Sequence, residues 1–417
     1  MQPSSTIRRL FLAAAVFFPL IAAGSAAAQN WTRYRGDNGS GISLQKGVPV
    51  TFSPGEYKWK ITLPGEGHSS PVIWKNKLFV TSAIDQGAVR YLHCINTDSG
   101  KILWTRETGL NRSPKHIKSS WASATPTVDA ERVYAAFGDK ETNYLAAYTH
   151  NGELLWRKNL GPFDSQHGQG VSPVLFENLV IFANDQDGPS SIVALDNRTG
   201  RTVWSTLRSI REASYATPMI YREDGKRPQL ICASGAMGLT SLDPYTGRQN
   251  WATGEFPLRT VASPVQADGL ILQSCGGAGK GKLLIAVDPN GSGNVAATHI
   301  KYRRETVLPY VPTPIAYKGH VYLWNDNGVV SCIVAKTGRN IWTQRIGGGY
   351  SGSPICIDGK LYIISEKGEV VVLAASPEFK LLGKTSLEDG SHATPAIAHG
   401  RLYLRTFRHL ICLEAQR

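Results

Sequence analysis

Histidines, arginines and aromatic residues recur in this chain ahead of serine- or threonine-proline pairs. His68 precedes Ser70-Pro71, His116, Lys118 and Trp121 precede Thr125-Pro126, and His167 precedes Ser172-Pro173. Arg211 and Tyr215 stand before Thr217-Pro218, Arg259 before Ser263-Pro264, and Arg303 and Tyr310 before Thr313-Pro314. Tyr350 comes before Ser353-Pro354 and His392 before Thr394-Pro395. Asp185 and Asp187 add a polar pair within Asn184-Asp-Gln-Asp-Gly188. These residue types suit binding. Arginine presents a planar donor fork to a carboxylate or sulfate. Trp121 and Tyr215 offer stacking faces to a sugar or quinone, and the aspartates can take hydroxyls or a cation. No spacing assembles a serine-histidine-aspartate arrangement, so no catalytic residue is assigned.

Sharper motifs fail on inspection. Gly276-Gly-Ala-Gly-Lys-Gly-Lys282 has phosphate-loop spacing, but Leu283 replaces the Ser/Thr and the stretch joins two strands rather than a strand and a helix. It reads as a flexible hairpin loop. Asn184 to Gly188 suggests calcium, yet Ala183 stands where the first ligand belongs and Ala194 where the bidentate glutamate belongs. No metal ligand is assigned. Without a Cys-x-x-Cys-His, covalent haem is excluded.

The elements that must position these residues repeat along the chain. Ile192-Val-Ala-Leu-Asp-Asn-Arg-Thr-Gly-Arg-Thr-Val-Trp204 reads as a strand, a tight turn and a returning strand anchored by tryptophan. Asp196 can bond turn backbone and Gly200 supplies a positive φ. Variants of the unit end in Trp104, Trp156, Trp251 and Trp342. The prolines of the Ser/Thr-Pro pairs run from Pro71 to Pro395 in seven steps, about 46 residues each. Each pair opens onto an apolar strand, where proline is tolerated at the first position. A turn, a second strand and the hairpin follow.

Four short strands per repeat at this period predict an all-β, eight-bladed β-propeller. The last repeat runs out after three strands. Its fourth is expected from Tyr57 to Leu63, pairing beside Leu410 to Glu414 and closing the ring so that neither edge is exposed. Trp59 then joins Trp104, Trp156, Trp204, Trp251 and Trp342 as structural docking residues. Blades five and seven depart, with Asn294-Val-Ala-Ala and Phe379-Lys-Leu-Leu. In such blades the inter-blade loops and the loops between second and third strands emerge on one face. All fourteen polar and aromatic residues above are therefore expected around one channel mouth.

Residues 1–28 read as a signal peptide, with Arg8 and Arg9 before the apolar run Leu10 to Ala23 and a small-residue site at Ala26-Ala-Ala28. The rest, 29–417, reads as one exported domain, periplasmic or extracellular, with no transmembrane segment. Without Arg8 and Arg9 the formal charge of +13 falls to +11. The basic residues are scattered rather than striped, which excludes nucleic acid. The six cysteines all lie in or beside apolar strands. They are expected as small buried hydrophobes rather than a disulfide framework.

Ala194 to Trp204 resembles the tryptophan-docking motif of quinoprotein propellers, shared across the PQQ-like repeat family that includes BamB-type scaffolds. Lys118 to Pro126, His167 to Pro173 and Asp185-Gln-Asp187 look like a secreted bacterial branch of that family. The resemblance implies either of two functions. One is a non-catalytic exported propeller that needs no cofactor; its loop residues, rather than the resemblance, point to an acidic or polyhydroxylated small molecule, a glycan or a periplasmic protein as what it binds. The other is a PQQ-dependent dehydrogenase oxidising an alcohol or sugar, with calcium, where the cofactor performs the redox step. Such enzymes typically carry adjacent cysteines, and this chain has none.

Overall fold

The computed structural model describes residues 30–416; the expected leader, 1–28, lies outside the described residues. The chain forms eight antiparallel sheets, each built from four consecutive meander strands or their equivalent. Blade 1 runs from Val72 to Gly109, blade 2 from Thr127 to Asn159, blade 3 from Val174 to Arg208 and blade 4 from Met219 to Ala252. Blade 5 runs from Val265 to Arg304, blade 6 from Ile315 to Arg345 and blade 7 from Ile355 to Ser386. Blade 8 takes three strands from Ala396–Glu414 and its fourth from Tyr57–Thr62, with Trp59 opposite Cys412. The expected closure is what the chain does. Residues of adjacent blades make up each buried cluster; the one holding Trp59, Tyr403, Tyr362 and Ile73 joins blades 7, 8 and 1.

The hairpin chemistry read from Ile192–Trp204 is present in detail. Asp196 Oδ1 accepts the backbone N–H groups of Arg198 and Thr199, at 3.1 and 2.8 Å. Gly200 has φ 70°. Ala194 faces Trp204, and the small residue opposite the tryptophan recurs as Cys94 against Trp104 and Cys332 against Trp342. Every docking indole donates to a backbone carbonyl in the next blade. Trp59 bonds Thr97, Trp104 bonds His150, Trp156 bonds Asn197, Trp204 bonds Pro244, Trp251 bonds Pro289 and Trp342 bonds Ser376, all at 2.9–3.2 Å. All six cysteines are buried and unpaired.

The two departing blades were misaligned by the sequence pattern. The outer strand of blade 5 is Ile300–Arg304, not the segment at Asn294, and Tyr302 stands in the docking position opposite Ala286. Its hydroxyl donates to Ala335 O at 2.9 Å. Gly293–Asn294 instead extends blade 4 by pairing parallel to Trp251–Ala252. In blade 7 the docking position falls on Gly383, opposite Val372, where a Cβ would lie 2.3 Å from Val50 O. The segment carrying Val48, Val50 and Phe52 fills that gap.

The Ser/Thr-Pro pairs form a closed ring around the axis. The backbone N–H of Ser70 donates to the hydroxyl of Thr125, and so on through Ser172, Thr217, Ser263, Thr313, Ser353 and Thr394, which returns to Ser70. The eight bonds measure 2.9–3.2 Å. Each blade is thus tied to the next by a side-chain acceptor where proline removes the following N–H.

The N-terminal segment from Trp31 to Ser43 crosses the axis beneath this ring. Trp31 bridges to Ile73 of blade 1, Thr32 O accepts from Val128 N of blade 2, and Arg33 Nη2 reaches Pro218 O of blade 4. Arg35 Nη2 reaches Pro314 O of blade 6, and Ile42–Ser43 pairs parallel to Cys356–Ile357 of blade 7. Tyr34 hydroxyl lies 2.8 Å from Ser353 Oγ of the ring. One end of the channel is stoppered by the chain's own N-terminal segment.

Candidate functional site

Above the ring the channel opens into a cavity of about 690 Å3. Tyr34 and six of the ring hydroxyl residues form its floor. Its walls come from the inter-blade loops, and from the second-to-third-strand loops of blades 5 and 6. Eight of the fourteen expected residues line it: His68, His116, Lys118, His167, Tyr215, Arg259, Tyr310 and His392.

The histidines stand in two edge-to-face pairs. His68 and His392 have ring centroids 4.5 Å apart, with Phe407 against both, and His116 and His167 are also 4.5 Å apart. His167 Nδ1 lies 3.1 Å from Ser119 Oγ, and its ring meets Tyr215 edge-on at 5.6 Å. Burial, with His116 and Arg259 adding positive charge nearby, lowers the His167 pKa to about 4. Burial also holds His68 well below the usual imidazole value and His392 below it. At neutral pH these three groups are uncharged.

Two ion pairs stand in the wall, while Lys280 has no ion-pair partner among the described residues. Lys118 Nζ lies 3.0 Å from Glu366 Oε1, which also accepts from Ser351 Oγ at 2.7 Å. Burial alone would raise the Glu366 carboxyl, but Ser351 and Lys118 hold it below its ordinary value. Arg259 pairs with Glu212, and its guanidinium lies 6.0 Å from the Tyr215 ring centroid. Asp326 accepts the backbone N–H groups of Tyr310 and Val311, at 2.8 and 3.2 Å. Burial nevertheless raises its pKa.

Six expected residues lie elsewhere. Asp185 is buried in a bidentate pair with Arg208, at 3.1 and 3.0 Å, which ties blade 3 to Ser234 and Thr240 of blade 4. Asp187 caps the Ala213 N–H at 2.6 Å. Trp121 faces Gly87 and Lys115 and donates to Ser113 O at 2.7 Å. Arg211 is spent on an exposed pair with Glu255 at 2.7 Å. Arg303 lies on the outer strand of blade 5, far from the axis, because that strand begins at Ile300 rather than near Asn294. Tyr350 is fully buried against Trp324, 5.3 Å between centroids.

Sequence reasoning missed Tyr34, Glu212, Asp326 and Glu366. The last two sit in second-to-third-strand loops, Asn325–Gly328 and Ser365–Gly368, on the face already assigned to the site, and that placement was the available signal. Nothing local marks Tyr34. The glycine-rich stretch is the hairpin loop it was read as, and Gly276 to Lys280 contributes to the cavity wall.

The donor set does not fit a calcium-bound quinone. Glu212, Asp326 and Glu366 are each committed to a cation or to backbone donors, and they come from blades 4, 6 and 7 rather than forming an oxygen cage. Among the described residues no three His, Cys, Asp or Glu side chains group as a metal site. Also among the described residues, no helix is long and apolar enough to cross a membrane.

Comparison with known proteins places this architecture. The sequence profile of a family described as outer membrane protein assembly factor BamB matches residues 45–141 and 141–378. The outer membrane protein assembly factor BamB of Yersinia pestis is 22% identical over 272 residues, covering 60% of this chain and 64% of that protein. Aligned segments span from 25 to 66% of the lengths of the curated relatives matched. Among solved structures, the quinohemoprotein alcohol dehydrogenase from Comamonas testosteroni superposes with TM-score 0.69 at 13% identity, covering 94% of this chain and 81% of that one. BamB from Moraxella catarrhalis superposes with TM-score 0.60 at 14% identity, covering 85% and 98%. At these identities the two structures speak for the fold alone.

Proposed function

The chain belongs to the PQQ-type propeller family described as outer membrane protein assembly factor BamB, and from that premise we propose that it is an exported, non-catalytic propeller binding a ligand at its central cavity. Residues 1–28 are its signal peptide and 29–417 its single domain, working in the periplasm or outside the cell. The reading is carried by one observation: a 690 Å3 cup, closed below by Tyr34, whose wall combines uncharged imidazoles, aromatic edges and self-neutralised ion pairs. That lining suits a small polar ligand, an acidic or polyhydroxylated molecule or the end of a glycan, better than a flat protein surface does. Calorimetric titration of the purified protein with a panel of neutral and acidic saccharides tests it. The expected result is saturable binding that the His167→Ala, Arg259→Ala double variant abolishes while its unfolding midpoint stays close to that of the parent. Binding that survives both substitutions would move the site elsewhere.

The alternative is a PQQ-dependent dehydrogenase acting on an alcohol or sugar; the quinohemoprotein enzyme shares its fold with this chain, and the fold is compatible with either reading. Reconstitution with PQQ and calcium, followed by absorbance of bound quinone and dye reduction, separates the two readings. Dye reduction would favour the enzyme.

A further inference from the structure

The floor of the cup differs chemically from its wall. Each ring hydroxyl accepts a backbone N–H from the neighbouring blade, so one lone pair is used and the O–H proton is left to donate. Only Ser353 has a second partner, the Tyr34 hydroxyl at 2.8 Å. For the other seven no acceptor stands within hydrogen-bond distance among the described residues, and six of them line the cavity. A hydroxyl that already accepts a hydrogen bond is a better donor, because the chain of bonds polarises it.

Positive charge with little counter-charge lies just outside the ring: Arg33 has only the exposed Asp37 nearby, and no carboxylate offsets Arg35 or Arg405 among the described residues. Arg33, Arg35 and Arg405 are 6%, 1% and 1% exposed. All three bond mainly backbone oxygens one residue from the ring: Arg33 reaches Pro218 O, Arg35 reaches Pro314 O, and Arg405 reaches Ser69 O, each at 2.8 Å. Among the described residues none forms an ion pair. Arg33 Nε, Arg35 Nε and Nη1, and Arg405 Nε and Nη2 are buried with no partner there. Burial lowers their pKa values to about 10, 10 and 9, which leaves all three protonated at neutral pH. Guanidinium charges buried without carboxylates are costly unless something else compensates them. The wall cannot, since its carboxylates are already paired or capped.

We propose that the floor of the cup binds an oxyanion, a carboxylate, sulfate or phosphate group of the ligand, held by the ring hydroxyls in the field of Arg33, Arg35 and Arg405. This rests on the cup being the ligand site, and it names the chemical end of the ligand that enters first. The uncharged histidines and Tyr215 then face the remainder of the molecule.

The test uses inorganic sulfate, phosphate and acetate as probes against neutral glucose, titrated into the purified protein at fixed ionic strength held with sodium chloride. Thr125→Val and Thr217→Val are near-isosteric, remove two floor O–H groups and leave the Pro218 carbonyl that Arg33 uses. Their melting temperatures without added oxyanion report any loss of folding. The proposal expects sulfate to raise the melting temperature of the parent, and its affinity to fall at least tenfold in the double valine variant. Crystals soaked in selenate should then show anomalous scattering within the ring. Equal sulfate affinity in parent and variant, or selenate at the outer surface only, would overturn it. Glucose binding in the cup without any oxyanion binding would also overturn the floor site, while leaving the cup as the ligand site. Binding of neither probe class would sink both.

Discussion

Lys118 Nζ and Glu366 Oε1, 248 residues apart in sequence, meet at 3.0 Å and join the loop entering blade 2 to a loop of blade 7 over the cavity. Lys118 is half exposed, so the pair contributes about 0–1 kcal/mol and weakens with salt. It is placed to slow entry rather than to hold the fold. A cysteine introduced at Val261, on the cavity wall, makes this measurable, because the native thiols are buried and held up to about 11–12. Glu366→Gln or Lys118→Ala should raise the alkylation rate of that cysteine by up to about fivefold, and so should salt in the parent. Unchanged rates would mean the pair does not restrict access.

The tryptophan docking contacts give a graded stability series. Trp204 is 8% exposed and fills the space between blades 3 and 4, so Trp204→Ala should cost roughly 3–5 kcal/mol in a denaturant titration. Gly247 packs under the same ring: its φ is 72°, and a Cβ there would stand 2.4 Å from Trp204 Cε3. Gly269 has φ 80° and open space around it. Gly247→Ala should therefore cost clearly more than Gly269→Ala, whose loss of about 1 kcal/mol is backbone strain alone. Equal costs would show that the indole gives way.

Acid should destabilise the protein before its carboxylates titrate. Burial lowers His167 and His93 to about 4, and His68 and His392 also lie below 6.5. His93 sits between the Ser82 and Thr105 hydroxyls at 2.8 and 2.9 Å. The unfolded chain binds more protons than the folded one between pH 6.5 and 4, so stability rises with pH across that window and is lost as pH falls through it. The denaturation midpoint should stay level above pH 7 and drop steadily from pH 6.5 to 4. His167→Gln should reduce that slope. A flat profile would mean these imidazoles protonate in the folded state.

Cysteine chemistry should be silent in the native protein. Cys94 and Cys412 lie directly opposite Trp104 and Trp59, and Cys332 opposite Trp342, where the docking ring leaves room only for a small side chain. Thiol titration of the denatured, unreduced protein should count six, and native protein should react at the rate of global unfolding. Two thiols or fewer would reveal disulfides.

Much of this architecture is legible along the chain because it is made of local chemistry. The Asp196–Gly200 turn, the tryptophan that follows and the Ser/Thr-Pro pair are each set by neighbours within a dozen residues, and their recurrence counts the blades. Ring closure by Tyr57–Thr62 could be inferred because blade 8 lacks a strand and an open edge is unfavourable. Where the local signal lapses, register is lost too: without a tryptophan in blade 5 the outer strand was placed at Asn294, which hid Tyr302 and put Arg303 on the wrong side of the ring.

The site itself obeys a different rule. His68 and His392 are 324 residues apart in sequence and touch only because the first and last blades are neighbours in a closed ring. Asp185 and Asp187 are as polar as Asp326, yet Arg208 and the Ala213 N–H claim them while Asp326 reaches the cavity. Sequence determined the repeat, the number of blades and the face on which their loops gather, since each follows from short-range hydrogen bonding and apolar period. Tertiary structure decided which loop residues point inward, and it made Arg33, Tyr34 and Arg35 the stopper of the channel. Those outcomes depend on contacts with blades 1, 2, 4, 6 and 7 together, a convergence that no stretch of neighbouring residues encodes.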